Sequence, residues 1–184
     1  HLYIMAEKRI YYFVFILQPI IIWLLLIAVI VRTSNIEQLK DITTGEYTLG
    51  PDLDPFLYLR VTNDLSVGKL ENPDMMRYIP LGAGNFALTN LMPWFILYLY
   101  KLVSFFKEIT ITYAAIILPV ILFVFSTIGF LLFVKVISSF KFSENKSWIC
   151  ATIASLFYIS VPSMLHRTVA GIPELESLGM VWFW

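Results

Sequence analysis

The 184-residue chain is strongly apolar: 59% of its residues are hydrophobic, 14% are charged and the formal net charge at pH 7 is zero. Soluble domains carry about 25% charged residues, so the composition excludes an ordinary water-soluble domain and indicates a membrane protein. Zero net charge argues against a basic nucleic-acid-binding surface. The single cysteine, Cys150, excludes a disulfide framework. Because the chain begins at His1 and stops at Trp184 inside a new apolar stretch, we expect an N-terminal fragment of a longer membrane protein.

Three apolar stretches are long enough to cross a bilayer, which takes about 20 residues. They cover residues 11–31, 109–134 and 147–165, and residues 178–184 predict the start of a fourth span. We therefore expect an all-α, multi-pass integral membrane protein.

A long segment, residues 32–108, separates the first two predicted spans. Residues 32–77 hold five basic and eight acidic residues, and because structureless loops of that length are uncommon, we expect an ordered loop. Residues 78–100 are uncharged but rich in proline, glycine and asparagine, which favours a re-entrant or membrane-parallel segment over a span. Residues 91–106 suit an interfacial helix, since tryptophan and tyrosine side chains favour the headgroup level.

Charge asymmetry predicts the orientation of the chain. The connection from Lys135 to Lys146 holds three lysines and one glutamate, and Lys8 and Arg9 precede the first predicted span. By the positive-inside rule these positions are cytoplasmic, which puts residues 32–108 on the outer face.

Two acidic motifs next to proline and glycine carry the candidate chemistry. Asp52 and Asp54 lie in the outer loop, whereas Glu174 and Glu176 lie between the third and fourth predicted spans. Mg²⁺ and Mn²⁺ prefer carboxylate oxygens, so one cation shared by Asp54, Glu174 and Glu176 is our hypothesis if both motifs lie on one face. Each motif alone is more typical of solvated acids beside turns than of a metal site.

Three segments occur in the order found in one known family. They are DPFLYLRVT at 54–62, YIPLG at 78–82, and RTVAG at 167–171 followed by Glu174 and Glu176. With these segments the chain resembles the catalytic subunit of oligosaccharyltransferase, and its archaeal members most closely. The resemblance implies an N-terminal part of a transmembrane catalytic domain with glycosyltransferase-C-type helices.

The resemblance also implies an activity, which is protein N-glycosylation. An oligosaccharide would pass from a dolichyl phosphate or pyrophosphate donor to the asparagine of an Asn-x-Ser/Thr acceptor polypeptide, in contact with membrane lipid. The implied cofactor is Mn²⁺ or Mg²⁺ held by Asp54, Glu174 and Glu176. Asp54 would also bind the acceptor amide, and Arg167 would be a catalytic residue beside the acceptor. The implied location is the outer face of an archaeal cell membrane, or the lumenal face of the endoplasmic reticulum in a eukaryote.

Some features depart from the family pattern. The second motif is Glu-x-Glu where relatives usually begin with aspartate, and Asp52 occupies a variable position, which makes it a weaker candidate. The family's Trp-Trp-Asp-Tyr-Gly motif lies in a C-terminal soluble domain absent here, so we expect this fragment to be inactive alone. Two alternatives remain open: a related membrane glycosyltransferase such as a protein O-mannosyltransferase, and a non-enzymatic transporter or structural subunit.

Overall fold

The computed structural model describes the backbone of residues 2–184 and the side chains from Gln18 onward. This part of the chain is helical and contains no β-strand, which confirms the prediction of an all-α protein. Two short 3₁₀ helices, Ile36–Leu39 and Phe86–Leu88, accompany the α-helices. The seven α-helices of the described chain are α1 (Leu2–Thr33), α2 (Leu53–Ser66), α3 (Met92–Ser104), α4 (Ile111–Ser139), α5 (Glu144–Ser160), α6 (Pro162–Thr168) and α7 (Leu175–Phe183).

Two stretches, Gln18–Leu39 and Ile111–Ser139, are long and apolar enough to cross a membrane. They match the first two predicted spans, although the side chains of residues 11–17, and of Lys8 and Arg9, lie outside the described set. Helix α4 begins at Ile111 because the Thr110 side chain accepts a hydrogen bond from a backbone N–H of the first turn.

The third predicted span, residues 147–165, is not one straight helix. Helices α5 and α6 cover it with a bend of 66° between them. The break follows from Pro162, because proline disfavours helical backbone at the residue before it; Val161 accordingly has an extended ψ of 117°. The bend directs α6, with Arg167 in its last turn, away from the axis of α5.

The first acidic motif forms part of a helix, whereas the sequence predicted an ordered loop. Asp52 is the N-cap of α2 and Asp54 lies in its first turn, where negative charge is favoured by the helix dipole. The buried positions Tyr58, Val61 and Leu65 recur at helical spacing, which explains how α2 attaches by one face to the rest of the chain.

An ion pair ties α2 to the segment that follows it. Arg60 Nη2 lies 2.5 Å from Asp74 Oδ2, and Arg60 Nη1 lies 3.4 Å from Asp64 Oδ2. The hydrogen bond from Arg60 holds the pKa of the buried Asp74 carboxyl below its usual range. Arg60, which belongs to the DPFLYLRVT segment, therefore pairs with Asp64 and Asp74 and, within the described part of the chain, forms no ion pair with the predicted acidic site.

Residues 78–100 do not form one continuous helix. Irregular backbone and the 3₁₀ turn at Phe86–Leu88 precede α3, which has 13 residues, fewer than the roughly 20 that a span requires. Helix α3 covers most of the predicted interfacial helix at 91–106. Its depth relative to a bilayer stays a prediction.

Labelling from each side of the membrane tests the orientation. Lys107 and Lys141 are both exposed, so each can be replaced by cysteine after Cys150 is changed to serine. We expect an impermeant maleimide to modify Lys107→Cys from outside and Lys141→Cys only from the cytoplasmic side, because the lysine-rich connection should be retained inside. Modification of position 107 only from the cytoplasm contradicts this topology.

Candidate functional site

The two acidic motifs lie together because the backbone just before each of them is joined by a hydrogen bond. The N–H of Gly50 donates to the carbonyl of Gly171 over 2.8 Å. The N–H of Gly171 in turn donates to the carbonyl of Ile116 in α4 over 3.0 Å. Helix α4 thus supports the segment that carries the second motif, and that segment supports the first.

Close approach at this junction requires glycine at both positions. Gly171 has a φ of +86°, and a Cβ there would lie 2.5 Å from Leu39 Cδ1 and 3.2 Å from the backbone nitrogen of Gly50. A Cβ on Gly50 would lie 2.8 Å from Ile172 Cγ1. These distances are shorter than ordinary van der Waals contact between carbon atoms, so larger residues would separate the motifs.

Arg167 lies between acids of the two motifs. Its Nη1 lies 2.8 Å from Glu174 Oε1 and 3.8 Å from Asp52 Oδ2. The Glu174 side chain is only 5% exposed, and the carboxyls of Asp52 and Glu176 lie close enough to influence its pKa. Of the predicted site residues, the structure therefore brings together Arg167, Glu174 and Glu176. Asp52, which was only a weaker candidate from the sequence, also belongs to this cluster.

The protonation of this cluster is unusual. Burial, and secondly hydrogen bonding to Asp52 and Glu176, raises the pKa of Glu174 to about 7. The hydrogen bond from Glu174 lowers the pKa of Asp52. Burial and the neighbouring carboxyls thus favour the protonated form of Glu174.

The pKa of Tyr58 responds to acids of both motifs. The side chain is buried, and burial, with the nearby charges of Asp54, Glu174, Glu176 and Asp52, raises its pKa to about 12. Asp54 and Tyr58 are four residues apart on α2 and so share a face. That spacing could have identified Tyr58 from the sequence once α2 was recognised as helical.

The predicted metal ligands differ in their surroundings. Asp54 and Glu176 are exposed, in the first turns of α2 and α7 respectively, and Glu174 is buried as the N-cap of α7. Helix α7 begins at Leu175, three residues before the predicted span, which places Glu176 inside a helix and not in the connection before it. Among the side chains from Gln18 onward, no group of three or more His, Cys, Asp or Glu residues is arranged to hold a metal ion.

The donor atoms nevertheless suit a hard divalent cation. They are all carboxylate oxygens, and Glu174 Oε1 is buried without a hydrogen-bond partner in the described part of the chain. Although Arg167 Nη1 is close to that oxygen, the pair does not meet hydrogen-bond geometry. The carboxylate ligands are therefore chemically suited to a divalent cation, and the shared cation stays a prediction.

Sequence reasoning missed one buried charge near the site. Arg32 was predicted as the first residue of the outer loop, but it lies in the last turn of α1 and is fully buried. An arginine at the end of an apolar stretch ordinarily indicates the membrane boundary, so the sequence offered no reason to expect burial.

Comparison of the chain with family models, with curated proteins and with solved structures gives no match. The function of the chain is therefore inferred from its own residues and geometry.

Proposed function

We propose that this chain is the N-terminal part of the transmembrane catalytic domain of an oligosaccharyltransferase-type glycosyltransferase. The full-length enzyme transfers an oligosaccharide from a dolichyl phosphate or pyrophosphate donor to asparagine in Asn-x-Ser/Thr sequences, at the outer or lumenal membrane face. The observation that carries the proposal is the junction of Gly50 with Gly171, which brings Asp52 and Glu174 to one arginine.

Grouping carboxylates favours a functional role over the alternative of solvated loop acids. The charges of four acids contribute to the raised pKa of the buried Tyr58. Like charges brought together destabilise a fold unless protons or cations offset them. A buried glutamate with a pKa raised to about 7 is typical of functional sites, since folding stability alone does not favour it.

Individual side chains support distinct roles in the proposed reaction. Asp54 is exposed at the first turn of α2, so its carboxylate is free to accept a hydrogen bond from the N–H of an acceptor asparagine amide. Arg167 holds Glu174 and Asp52 at the N-terminal ends of α7 and α2. Arg167 therefore holds the two acidic motifs next to each other while the acceptor binds.

Asp54, Glu174 and Glu176 are the residues that would hold Mn²⁺ or Mg²⁺. A divalent cation there supplies positive charge that stabilises a departing phosphate. The chain's own contribution is to present the carboxylates on two helix N-termini joined through glycine backbone, which limits their movement.

Glu176→Gln tests this ligand set. The substitution keeps the shape of the side chain but removes its charge, so we expect the Mn²⁺ or Mg²⁺ concentration for half-maximal activity to rise by about 10–100-fold or more. The measurement is transfer of lipid-linked glycan to a fluorescent Asn-x-Thr peptide by the full-length protein across a metal titration.

Glu46→Gln is the matched control, because Glu46 is an exposed glutamate outside the acidic cluster. It should leave the metal titration unchanged. If Glu176→Gln titrates like Glu46→Gln, Glu176 is not a ligand. If the unaltered protein transfers no glycan at any metal concentration, the proposed activity itself fails.

A further inference from the structure

Arg32 is a buried cation whose hydrogen bonds join three helices. Its Nε donates to Thr168 Oγ1 over 2.9 Å, and both Nη atoms donate to the carbonyl of Ile159 over 3.2 Å. The guanidinium also lies over the ring of Phe123 in α4, 3.3 Å from its centroid. Arg32 at the end of α1 thus contacts the end of α5, the end of α6 and the middle of α4.

The partners of Arg32 are neutral. Among the described side chains no carboxylate forms an ion pair with it, and its exposed fraction is 0%. A buried charge without an opposite charge destabilises a fold unless its hydrogen bonds are specific. The carbonyl of Ile159, in the last turn of α5, lies at the negative end of that helix and is a suitable acceptor.

The same residue also holds the backbone that leads to the acidic site. The carbonyl of Arg32 accepts the N–H of Ala170 over 2.9 Å, and Asn35 Nδ2 donates to the carbonyl of Ala170 over 2.8 Å. Ala170 lies between Thr168, which binds the guanidinium, and Gly171, which binds Gly50. Arg32 therefore contacts the segment 168–171 through both its side chain and its backbone.

We propose that Arg32 is a positioning residue for the acidic site. It fixes the bend between α5 and α6 and the segment 168–171, so that Arg167 and Glu174 meet the residues at the start of α2. Its effect on catalysis rests on the proposed glycosyltransferase function, whereas its effect on the segment does not.

Hydrogen–deuterium exchange of the full-length protein in lipid nanodiscs tests the positioning directly. Arg32→Met keeps an apolar side chain of similar length, so α1 should still insert. We expect exchange in peptides covering 168–174 to rise by about tenfold or more, because hydrogen bonds to a charged group are lost. Peptides covering α3, to which Arg32 makes no hydrogen bond among the described residues, should be unchanged.

Two further variants keep the test decisive if Arg32→Met does not fold. Arg32→Lys retains the charge and one donor group, so it should restore part of the protection. Thr168→Val removes the acceptor for Nε, together with the hydrogen bond that Thr168 Oγ1 donates to the Met164 carbonyl within α6, and should raise exchange less than Arg32→Met. Unchanged exchange at 168–174 in both Arg32→Lys and Thr168→Val, or an equal rise throughout the chain, overturns the positioning role.

Kinetics separate this proposal from the proposed function. In Arg32→Lys, displacement of Glu174 should raise the metal concentration for half-maximal transfer. It should also lower kcat, with little change in KM for the acceptor peptide. An unaltered metal titration, with kcat and KM both unchanged, overturns the link to the site. If exchange rises at 168–174 but the unaltered protein transfers no glycan, the positioning of the segment is supported and the glycosyltransferase assignment fails.

Discussion

Asp54→Ala is expected to abolish glycan transfer by the full-length protein while leaving its membrane insertion intact. The side chain is exposed and lies outside the stretches long enough to span a membrane, so its removal takes away the proposed metal ligand and acceptor-binding group without disturbing the apolar helices. Transfer to a fluorescent Asn-x-Thr peptide measures the loss, and alkaline extraction of membranes measures insertion.

The matched controls for Asp54 lie on the same helix. Asp64→Ala removes an aspartate from α2 that pairs with Arg60 and belongs to the opposite end of the helix, and it should retain near-native transfer. Asp52→Ala removes the N-cap of α2, which stabilises a helix by about 1 kcal/mol, and also one partner of Arg167, so it should lower transfer, though much less than Asp54→Ala. Near-native transfer by Asp54→Ala would mean that Asp54 is neither a metal ligand nor an acceptor-binding group, whereas no transfer by the unaltered protein would favour a transporter or structural subunit over an enzyme.

Properties that depend on neighbours in sequence were predictable. Long uncharged stretches predicted the regions of α1 and α4, and the proline-rich composition of 78–100 predicted that this region is not one straight span. Helix α2 was not predicted, because Gly50 and Pro51 immediately before Asp52 and Asp54 are typical of a turn. Its N-cap at Asp52 is the local feature that indicates where it begins.

Properties that depend on distant contacts were only partly predictable. Resemblance to a family suggested that Asp54 and Glu174 share a site, but the residue pair that joins the two segments, Gly50 and Gly171, is visible only in three dimensions. The burial of Arg32 likewise depends on the bend at Pro162, which brings Ile159 and Thr168 to it. Apolar periodicity carries no information about such contacts.

Gly171→Ala is expected to have the largest effect on stability among these substitutions. A φ of +86° costs an L-residue about 1–2 kcal/mol. The new Cβ would also lie 2.5 Å from Leu39 Cδ1 and 3.2 Å from the backbone nitrogen of Gly50, and overpacking of this kind adds about 1–3 kcal/mol. We expect a loss of roughly 2–5 kcal/mol in the free energy of unfolding, measured by denaturant titration in detergent micelles.

Two other glycines separate the contributions to that loss. Gly45 has a φ of +72°, but no atom lies within 4 Å of the position that a Cβ would occupy there, so Gly45→Ala should cost only the backbone part, about 1–2 kcal/mol. Gly50→Ala adds no positive-φ strain but brings a Cβ within 2.8 Å of Ile172 Cγ1, so it should cost only the packing part, about 1–3 kcal/mol.

Activity should follow a different order from stability across these three variants. Gly50→Ala and Gly171→Ala both force apart the two backbone segments that bring the acidic motifs together, so both should lose transfer even at temperatures where they stay folded. Gly45→Ala should lose stability but keep its transfer rate, because its turn lies away from the junction. Equal transfer by Gly45→Ala and Gly50→Ala would mean that the junction does not position the reacting groups, since misplacement by about 1 Å ordinarily lowers catalysis about 100-fold.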